Sequence, residues 1–266
     1  MKKALVVVSF GTSYADTREK TIGGTEDSLA RAFPEYDLRR AFTSRIIMKK
    51  LHDRDGISVD SVCQVVEKLY LDGYQEVLIQ PLHVIPGYEY EEVISDLVPY
   101  VGKFARFAVG APLLAEDQDC HAVVQALSHE IADIPHDVAI VWMGHGSSHP
   151  ANIAYRKLND SFVKMGFPNM FVATVEGTPT IYSVMSLLEA QGIQKVTLIP
   201  FMLVAGDHAQ NDMAGDGEES WKSILQNTGY TVATRLVGLG EIESIRAIYI
   251  EHARIALKNE DIWKTP

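Results

Sequence analysis

Three short segments of the sequence place histidine or glutamate directly after runs of apolar residues. MGHGSSH contains His145 and His149, TVEG contains Glu176, and AGDHAQND contains His208. His145 lies between two glycines, so its imidazole has little steric cover and can reach a ligand from several directions. Two imidazoles and one carboxylate form a nitrogen and oxygen ligand set that suits Co²⁺, Fe²⁺, Ni²⁺ or Zn²⁺. The segments therefore predict a divalent-metal site, and the ligand types leave the metal open.

Other chemistry fits these segments less well. A single histidine could equally be a polar residue at the edge of a loop, but three strand ends that carry His, Glu and His favour a common site. FGTS (10–13) and HGSS (145–148) match neither of the glycine-rich nucleotide-binding patterns. GHGSSH also differs from the G-x-S-x-G motif of serine hydrolases. A nucleotide site and a serine hydrolase are both disfavoured.

The elements that must position these residues alternate between β-branched runs and segments of helical periodicity. The predicted strands are 4–10, 76–82, 106–112, 138–144, 170–176, 196–203 and 230–237. The predicted helices are 59–72, 89–101, 116–132, 180–191 and 242–257. This alternation indicates an α/β fold of mostly parallel sheets flanked by helices. In such folds, ligands bind beyond the carboxyl ends of the strands.

The two halves of the sequence resemble each other. LVVVSFGTS matches AIVWMGHGSS, and VLIQPLHVIPGYEYEEV matches VTLIPFMLVAGDHAQND. Aligned on their prolines, the second pair places Glu89 on His208, and a weaker match of AFTS with ATVE places Ser44 on Glu176. We predict two similar domains with a cleft between them. The N-terminal domain covers 1–115, and the C-terminal domain, which carries the metal site, covers 116–266.

Composition restricts the partners and the compartment. The formal charge of −11 argues against nucleic-acid and anionic-membrane partners, which are bound chiefly through clustered Lys and Arg. Cys63 and Cys120 lie far apart in the sequence, so they predict neither a disulfide framework nor a thiolate zinc site. No apolar run approaches the roughly 20 residues of a membrane-spanning helix, and MKKALVVVSFGTS is better read as a strand than as a signal peptide. We expect a soluble, cytoplasmic protein.

Over nearly the whole chain, the sequence resembles the anaerobic cobalt chelatases of the CbiK type. The matching segments are MKKALVVVSFGTSYADT, RAFTSRII, RDGI, QPLHVIPGYEYE, VWMGHGSSH, MLVAGDHAQNDMAGD, SWK and GLGE. These class II tetrapyrrole chelatases act on sirohydrochlorin in cobalamin biosynthesis, a branch of porphyrin metabolism. The resemblance implies a chelatase-like pair of α/β domains around a cleft. It also implies a lyase-class enzyme that inserts Co²⁺, as a substrate, into sirohydrochlorin or a precorrin-2-type tetrapyrrole, with neither ATP nor an organic cofactor.

The resemblance also implies roles for individual residues. His145, Glu176 and His208 correspond to the metal ligands of the family, and His145 corresponds to its proton acceptor. Glu89 corresponds to an acidic residue at the cleft that acts on protons or on metal. One departure is the sequence TVEGTPT, in which Gly-Thr-Pro follows the glutamate and could change the shape of the loop.

Sirohydrochlorin is a polycarboxylate, so an acidic protein must offset its charge locally. The run LRRAFTSRIIMKKL supplies five basic residues, of which Arg45 is the best candidate and the lysines could equally form a solvated helix face. The backbone N–H groups of Gly11 and Thr12 could receive a carboxylate at a helix N-terminus. With Phe10 and His83, these residues are the expected tetrapyrrole contacts.

Three alternatives remain open from the sequence. The same ligand set would serve a ferrochelatase that makes sirohaem or a nickel-inserting relative, since softness does not separate the metals. A non-catalytic carrier of metal or tetrapyrrole would also use it. A homo-oligomer is compatible with the sequence, although two similar halves need no second copy to complete a cleft.

Overall fold

The computed structural model describes residues 1–259, which form an α/β structure. Within this range, the strands are β1 (Lys3–Ser9), β2 (Asp37–Phe42), β3 (Glu76–Pro81), β4 (Arg106–Val109), β5 (Val138–Gly146), β6 (Met170–Glu176), β7 (Lys195–Pro200) and β8 (Thr231–Thr234). The α-helices are α1 (Ala15–Arg18), α2 (Gly24–Ala32), α3 (Arg45–Asp55), α4 (Val62–Leu71), α5 (Tyr88–Leu97), α6 (Asp117–Glu130), α7 (Ile153–Lys164), α8 (Ile181–Ala190), α9 (Trp221–Asn227) and α10 (Glu243–Lys258). None of the described helices is long and apolar enough to cross a membrane.

The strands form two four-stranded parallel sheets with the same topology. One sheet has the order β2-β1-β3-β4, and the other has the order β6-β5-β7-β8. Most of the apolar runs become buried strands, because helices cover a parallel sheet on either side. The exception is β8, whose residues are exposed or half-buried. The predicted α/β fold with two parallel sheets is confirmed.

The strand β2 was not predicted from the sequence. Its sequence, DLRRAF, alternates charged and apolar residues, and its buried part is confined to Ala41 and Phe42. Edge strands commonly carry charges, which discourage pairing with other chains. The predicted strands at 106–112, 196–203 and 230–237 are shorter in the structure, since each apolar run continues past the last residue that pairs in the sheet.

Each sheet has its own apolar core. In the first sheet, α4 and α5 cover β1 and β3 with residues such as Val66 and Leu97, both buried. In the second, α8 and α9 cover β5 and β7 with residues such as Val184 and Leu225. Polar side chains set where helices begin: Ser44, Ser61, Thr180 and Ser220 each accept a hydrogen bond from a backbone N–H in the first turn of the following helix.

The chain divides into two compact units between Ala115 and Glu116. The second unit ends at Ile245, so residues 246–259 belong to the first unit. This corrects the predicted C-terminal domain, which extends to residue 266; its last seven residues, 260–266, lie outside the described range. The reason is the packing of α10, where the buried Tyr249 donates a hydrogen bond to the carbonyl of Leu82 (3.1 Å).

The strand register shows how the two units correspond. In the first sheet, Val8 of the central strand pairs with Ala41 and with Pro81. In the second sheet, Met143 pairs with Ala173 and with Pro200. The register therefore confirms both predicted alignments of the repeat.

The same alignment can be extended past the ends of the strands, where it matches residues of the first unit with residues of the second. Ser44 falls on Glu176, and Glu89 falls on His208. The alignment also places Phe10 on His145. The first unit thus carries Phe, Ser and Glu where the second carries His, Glu and His, so the residues suited to metal binding are concentrated in the second unit.

Candidate metal site at the carboxyl end of the second sheet

His145 lies at the end of the central strand of the second sheet. The strand β5 is buried from Ala139 to Gly144, and His145 is its first exposed residue. Directly beneath it, the ring of Tyr155 packs so closely on Gly144 that a Cβ there would lie 2.5 Å from a ring carbon. Burial raises the pKa of Tyr155 to about 12, and the backbone of Gly146 opposes part of this rise. The buried ring of Tyr155 therefore packs against the residue that precedes His145, whose imidazole is open to solvent.

His145 and His208 lie together, as the sequence predicts. Their ring centroids are 4.8 Å apart, and the rings are almost perpendicular, at 88°. His145 lies in β5 and His208 follows β7, and these two strands are neighbours in the sheet. Because the carboxyl ends of parallel strands meet at one edge, residues far apart in sequence come into contact there.

Hydrogen bonds fix the tautomers of both imidazoles. Nδ1 of His145 lies 3.0 Å from the carbonyl oxygen of Gly146, which can only accept, so Nδ1 carries the proton. Nδ1 of His208 lies 2.5 Å from the carboxylate of Asp212 and donates to it. When the rings are neutral, each Nε2 atom keeps its lone pair, which is the arrangement seen in metal-binding histidines.

Glu176 ends the strand β6, next to the same edge. It is the register partner of Gly146, and its side chain is exposed. Within residues 1–259 its carboxylate makes no hydrogen bond or ion pair. The strand ends approach so closely that a Cβ on Gly146 would lie 1.6 Å from the carbonyl oxygen of Glu176. Gly146 also has a φ of 82°, so glycine is required there for two reasons.

Asn152 ties together the loops that follow His145 and Glu176. Its Oδ1 accepts from the backbone N–H of Ser147 at 3.0 Å, and its Nδ2 donates to the carbonyl of Thr178 at 2.7 Å. Gly177, with a φ of 107°, permits this approach. Sequence reasoning missed Asn152, because nothing in its local pattern shows that its amide spans two loops.

The contact of Asp212 with His208 was also not predicted from the sequence. Its spacing of four residues from His208, in a segment that becomes helical, was the available signal.

The structure brings together two of the three predicted ligands. In the part of the chain that is described, no three His, Cys, Asp or Glu side chains stand close enough to hold a metal ion as they are. Glu176 lies at the same edge of the sheet as the two histidines, but the three side chains do not form a ready metal site. His149 has a structural role: its Nδ1 accepts from the backbone N–H of Ala151 at 3.0 Å at the start of a short helix.

In the first unit, His83 and Glu89 form a second pair of candidate residues. Their Nε2 and Oε2 atoms are 3.7 Å apart. The side chain of His83 is 9% exposed, and within residues 1–259 neither ring nitrogen has a hydrogen-bond partner. Glu89 is exposed in the first turn of α5. A buried imidazole that lacks a partner beside an open carboxylate is suited to exchange a proton with it.

The other predicted tetrapyrrole contacts also lie in the first unit. Phe10 is 49% exposed, so its ring is accessible to a ligand. Arg45 is exposed at the start of α3, and within residues 1–259 its guanidinium has no partner. Gly11 and Thr12 precede Tyr14, the N-cap of α1, so they lie in the loop before the helix and not in its first turn. Thr12 is buried, and its carbonyl accepts from Arg18.

Some basic residues of the run at 39–50 already have hydrogen-bond partners within the first unit. Arg40 pairs with Glu26 through two hydrogen bonds, and Arg39 donates to the hydroxyl of Tyr74. The hydrogen bond to Glu26 raises the pKa of Arg40. These two arginines hold β2 in place, which leaves Arg45 as the better candidate for a substrate carboxylate.

Comparison with known proteins places the chain in a family. The family model described as Cobalt chelatase (CbiK) matches residues 3–258. The chain belongs to the cobalt chelatase (CbiK) family. The resemblance found in the sequence motifs is thereby confirmed.

Two similar proteins are named as sirohydrochlorin cobaltochelatases. A sirohydrochlorin cobaltochelatase of Salmonella typhimurium is 44% identical over 257 residues, which cover 97% of each chain. The sirohydrochlorin cobaltochelatase CbiKC of Nitratidesulfovibrio vulgaris is 34% identical and covers 98% of this chain and 92% of its own.

Solved structures share the fold. SirB from Bacillus subtilis with Fe³⁺ aligns with a TM-score of 0.67 at 16% identity and covers 98% of both chains. A second SirB structure, in complex with cobalt, aligns with a TM-score of 0.62 at 14% identity. The chelatase-like fold predicted from the sequence is therefore confirmed.

Proposed function

We propose that this protein is a sirohydrochlorin cobaltochelatase, which inserts Co²⁺ into sirohydrochlorin without ATP in the anaerobic route to cobalamin. The observation that carries the proposal is the contact between His145 and His208, both of which keep Nε2 free because Nδ1 is hydrogen-bonded. Membership of the cobalt chelatase family and the names of two close relatives support the same activity.

The metal would be held by His145, His208 and Glu176. Two neutral imidazoles and one carboxylate bind a borderline divalent ion less tightly than thiolates would. Because the metal is a substrate, a very tight site would slow its transfer to the macrocycle. The exposed Glu176 is free to rotate toward the histidines, since it has no partner among the described residues. Its carboxylate would also offset part of the charge of the cation.

Insertion requires two pyrrolic protons to leave as the metal enters. His145 is suited to accept one, because an imidazole with a pKa near 6.5 exchanges protons at neutral pH. The same lone pair on Nε2 binds the metal, so the ring can accept a proton only after the metal has moved on. This order links proton removal to metal transfer. Glu89 keeps its predicted role in the handling of protons or metal.

The compartment and further partners are proposed on composition. Cys63 and Cys120 are both free thiols, which suits a reducing cytoplasm. A formal charge of −11 disfavours binding to nucleic acid and to anionic membranes. Sirohydrochlorin and a divalent metal are thus the expected partners.

The test is an insertion assay with purified protein, sirohydrochlorin and one metal at a time. Co²⁺, Fe²⁺ and Ni²⁺ are supplied separately and then in competition at limiting sirohydrochlorin, and the absorbance change of the macrocycle is followed. We expect many turnovers per protein and preferential formation of the cobalt product. A ferrochelatase would favour Fe²⁺ in competition. A carrier would bind stoichiometrically and release no metallated product.

A further inference from the structure

A pocket of about 600 Å³ lies in the second unit, among the loops that follow β5 and β6. Its lining residues come from two segments, 147–156 and 177–183. Ser147 is two residues after His145, and Gly177 directly follows Glu176. The pocket is therefore built from the same loops that carry two of the proposed metal ligands.

The lining of this pocket includes a basic side chain, Arg156, although the protein as a whole is acidic. The chain has 35 acidic and 24 basic residues, yet among the described residues no aspartate or glutamate lines the pocket. Arg156 does line it, and within residues 1–259 its guanidinium makes no hydrogen bond or ion pair. The first turns of α7 and α8 also contribute lining residues, and each adds a partial positive charge. An anion would be attracted to this pocket.

The walls of the pocket are already fixed by bonds within the protein. Asn152 joins the two loops, and the hydroxyl of Thr180 accepts from the backbone N–H of Ser183 at 3.3 Å. The hydroxyl of Ser147 accepts from the backbone N–H of His149 at 3.0 Å. With these wall groups engaged, the unpaired guanidinium of Arg156 is available for a ligand. Arginine matches the planar carboxylate group with two parallel hydrogen bonds.

We propose that this pocket is a carboxylate subsite for the tetrapyrrole, with Arg156 as the residue that pairs with one peripheral carboxylate of sirohydrochlorin. The proposal rests on the proposed function, because it takes the substrate class from it. A carboxylate held beside the loops of His145 and Glu176 would orient the macrocycle relative to the metal. Arg156 would thus determine substrate affinity and leave metal affinity unchanged.

The test compares Arg156→Gln and Arg156→Lys with the control Lys164→Gln. Lys164 is an exposed residue in the last turn of the same helix, α7, and it does not line the pocket. Its substitution removes the same charge from the same helix. For each protein, binding of sirohydrochlorin is measured by fluorescence without metal, and KM is measured separately for sirohydrochlorin and for Co²⁺.

We expect Arg156→Gln to weaken sirohydrochlorin binding and raise its KM about tenfold or more, as for loss of hydrogen bonds to a charged group. KM for Co²⁺ should stay unchanged. Arg156→Lys should lie between wild type and Arg156→Gln, because an ammonium group cannot form the bidentate pair. Lys164→Gln should match wild type.

Unchanged sirohydrochlorin binding in Arg156→Gln, or an equal loss in Lys164→Gln, would overturn the subsite. Failure of the wild type to insert any metal would instead reject the proposed function. The metal-free binding titration would still decide the role of Arg156 in that case. A rise in KM for Co²⁺ alone would also count against the subsite, since it would indicate a disturbed metal site.

Discussion

Substitution of Gly146 by alanine should separate the two strand ends that carry His145 and Glu176. An alanine Cβ would lie 1.6 Å from the carbonyl oxygen of Glu176, so the strand ends must part by roughly 2 Å to reach ordinary contact. The φ of 82° adds a backbone penalty of about 1 to 2 kcal/mol for a residue with a Cβ. With the weakened hydrogen bonding of this last ladder pair, the free energy of unfolding should fall by about 2 to 4 kcal/mol.

Gly166→Ala is the matched control for this substitution. Gly166 has a φ of 88°, but no atom of the described residues lies within 4 Å of the position that a Cβ would take. It therefore reports the backbone penalty alone, about 1 to 2 kcal/mol. A natural domain is stable by roughly 5 to 15 kcal/mol, so both variants should fold.

The assay combines urea unfolding with calorimetric titration of Co²⁺ and the initial rate of insertion. We expect Gly146→Ala to weaken Co²⁺ binding about tenfold or more, in the range seen when metal ligands lose their supporting contacts. Gly166→Ala should bind Co²⁺ as the wild type does. The reasoning is refuted if Gly146→Ala binds Co²⁺ normally, or if its stability falls no further than that of the control.

Three further results are expected. Asp212→Asn should weaken Co²⁺ binding about tenfold or more, because the carboxylate orients His208; calorimetry would contradict this if affinity were unchanged. Asn152→Ala should lower the free energy of unfolding by about 1 to 3 kcal/mol through two lost hydrogen bonds, and an unchanged urea midpoint would exclude this. Burial tends to raise the pKa of Glu76, but its hydrogen bonds and nearby cations outweigh this and hold it below 4.5. Stability should therefore fall as pH drops from 4.5 through that lowered pKa, and urea titrations at several pH values should show a weaker acid dependence in Glu76→Gln.

Much of the fold follows from local sequence pattern. Runs such as VAIVWMG are apolar on both faces, which occurs in parallel strands that helices cover on either side. The strand β2 escapes this pattern because Arg39 and Arg40 lie in it. Their partners, Tyr74 and Glu26, are far away in sequence, so local periodicity cannot show why these charges are tolerated.

The assignment of α10 shows a different limit. Its amphipathic period predicts a helix, and a helix forms at Glu243–Lys258. The period does not specify which core the apolar face will cover. Tyr249 binds the carbonyl of Leu82, 167 residues earlier in the chain, and only the tertiary structure reveals that pairing.

The sequence predicts the candidate metal ligands of this site, but it does not predict the residues that hold the loops around them in place. His145 and His208 could be found because both follow apolar runs, and parallel strands end at one edge. The close approach at Gly146 depends on backbone geometry, as does the bridge made by Asn152. These features set the spacing of the loops, and the residue types in the sequence do not by themselves predict them.

Cobalt insertion by His145→Ala and His208→Ala tests the central claim most directly. The initial rate with sirohydrochlorin and Co²⁺ is measured beside binding of metal-free sirohydrochlorin, so that loss of metal chemistry is distinguished from loss of substrate binding. We predict that each variant binds sirohydrochlorin as the wild type does and inserts cobalt at least about a hundredfold more slowly. In His145→Ala a positioned acid–base group is lost together with a metal ligand, and in His208→Ala a metal ligand is lost. Full cobalt insertion by either variant would contradict the assignment of the metal to this pair of histidines.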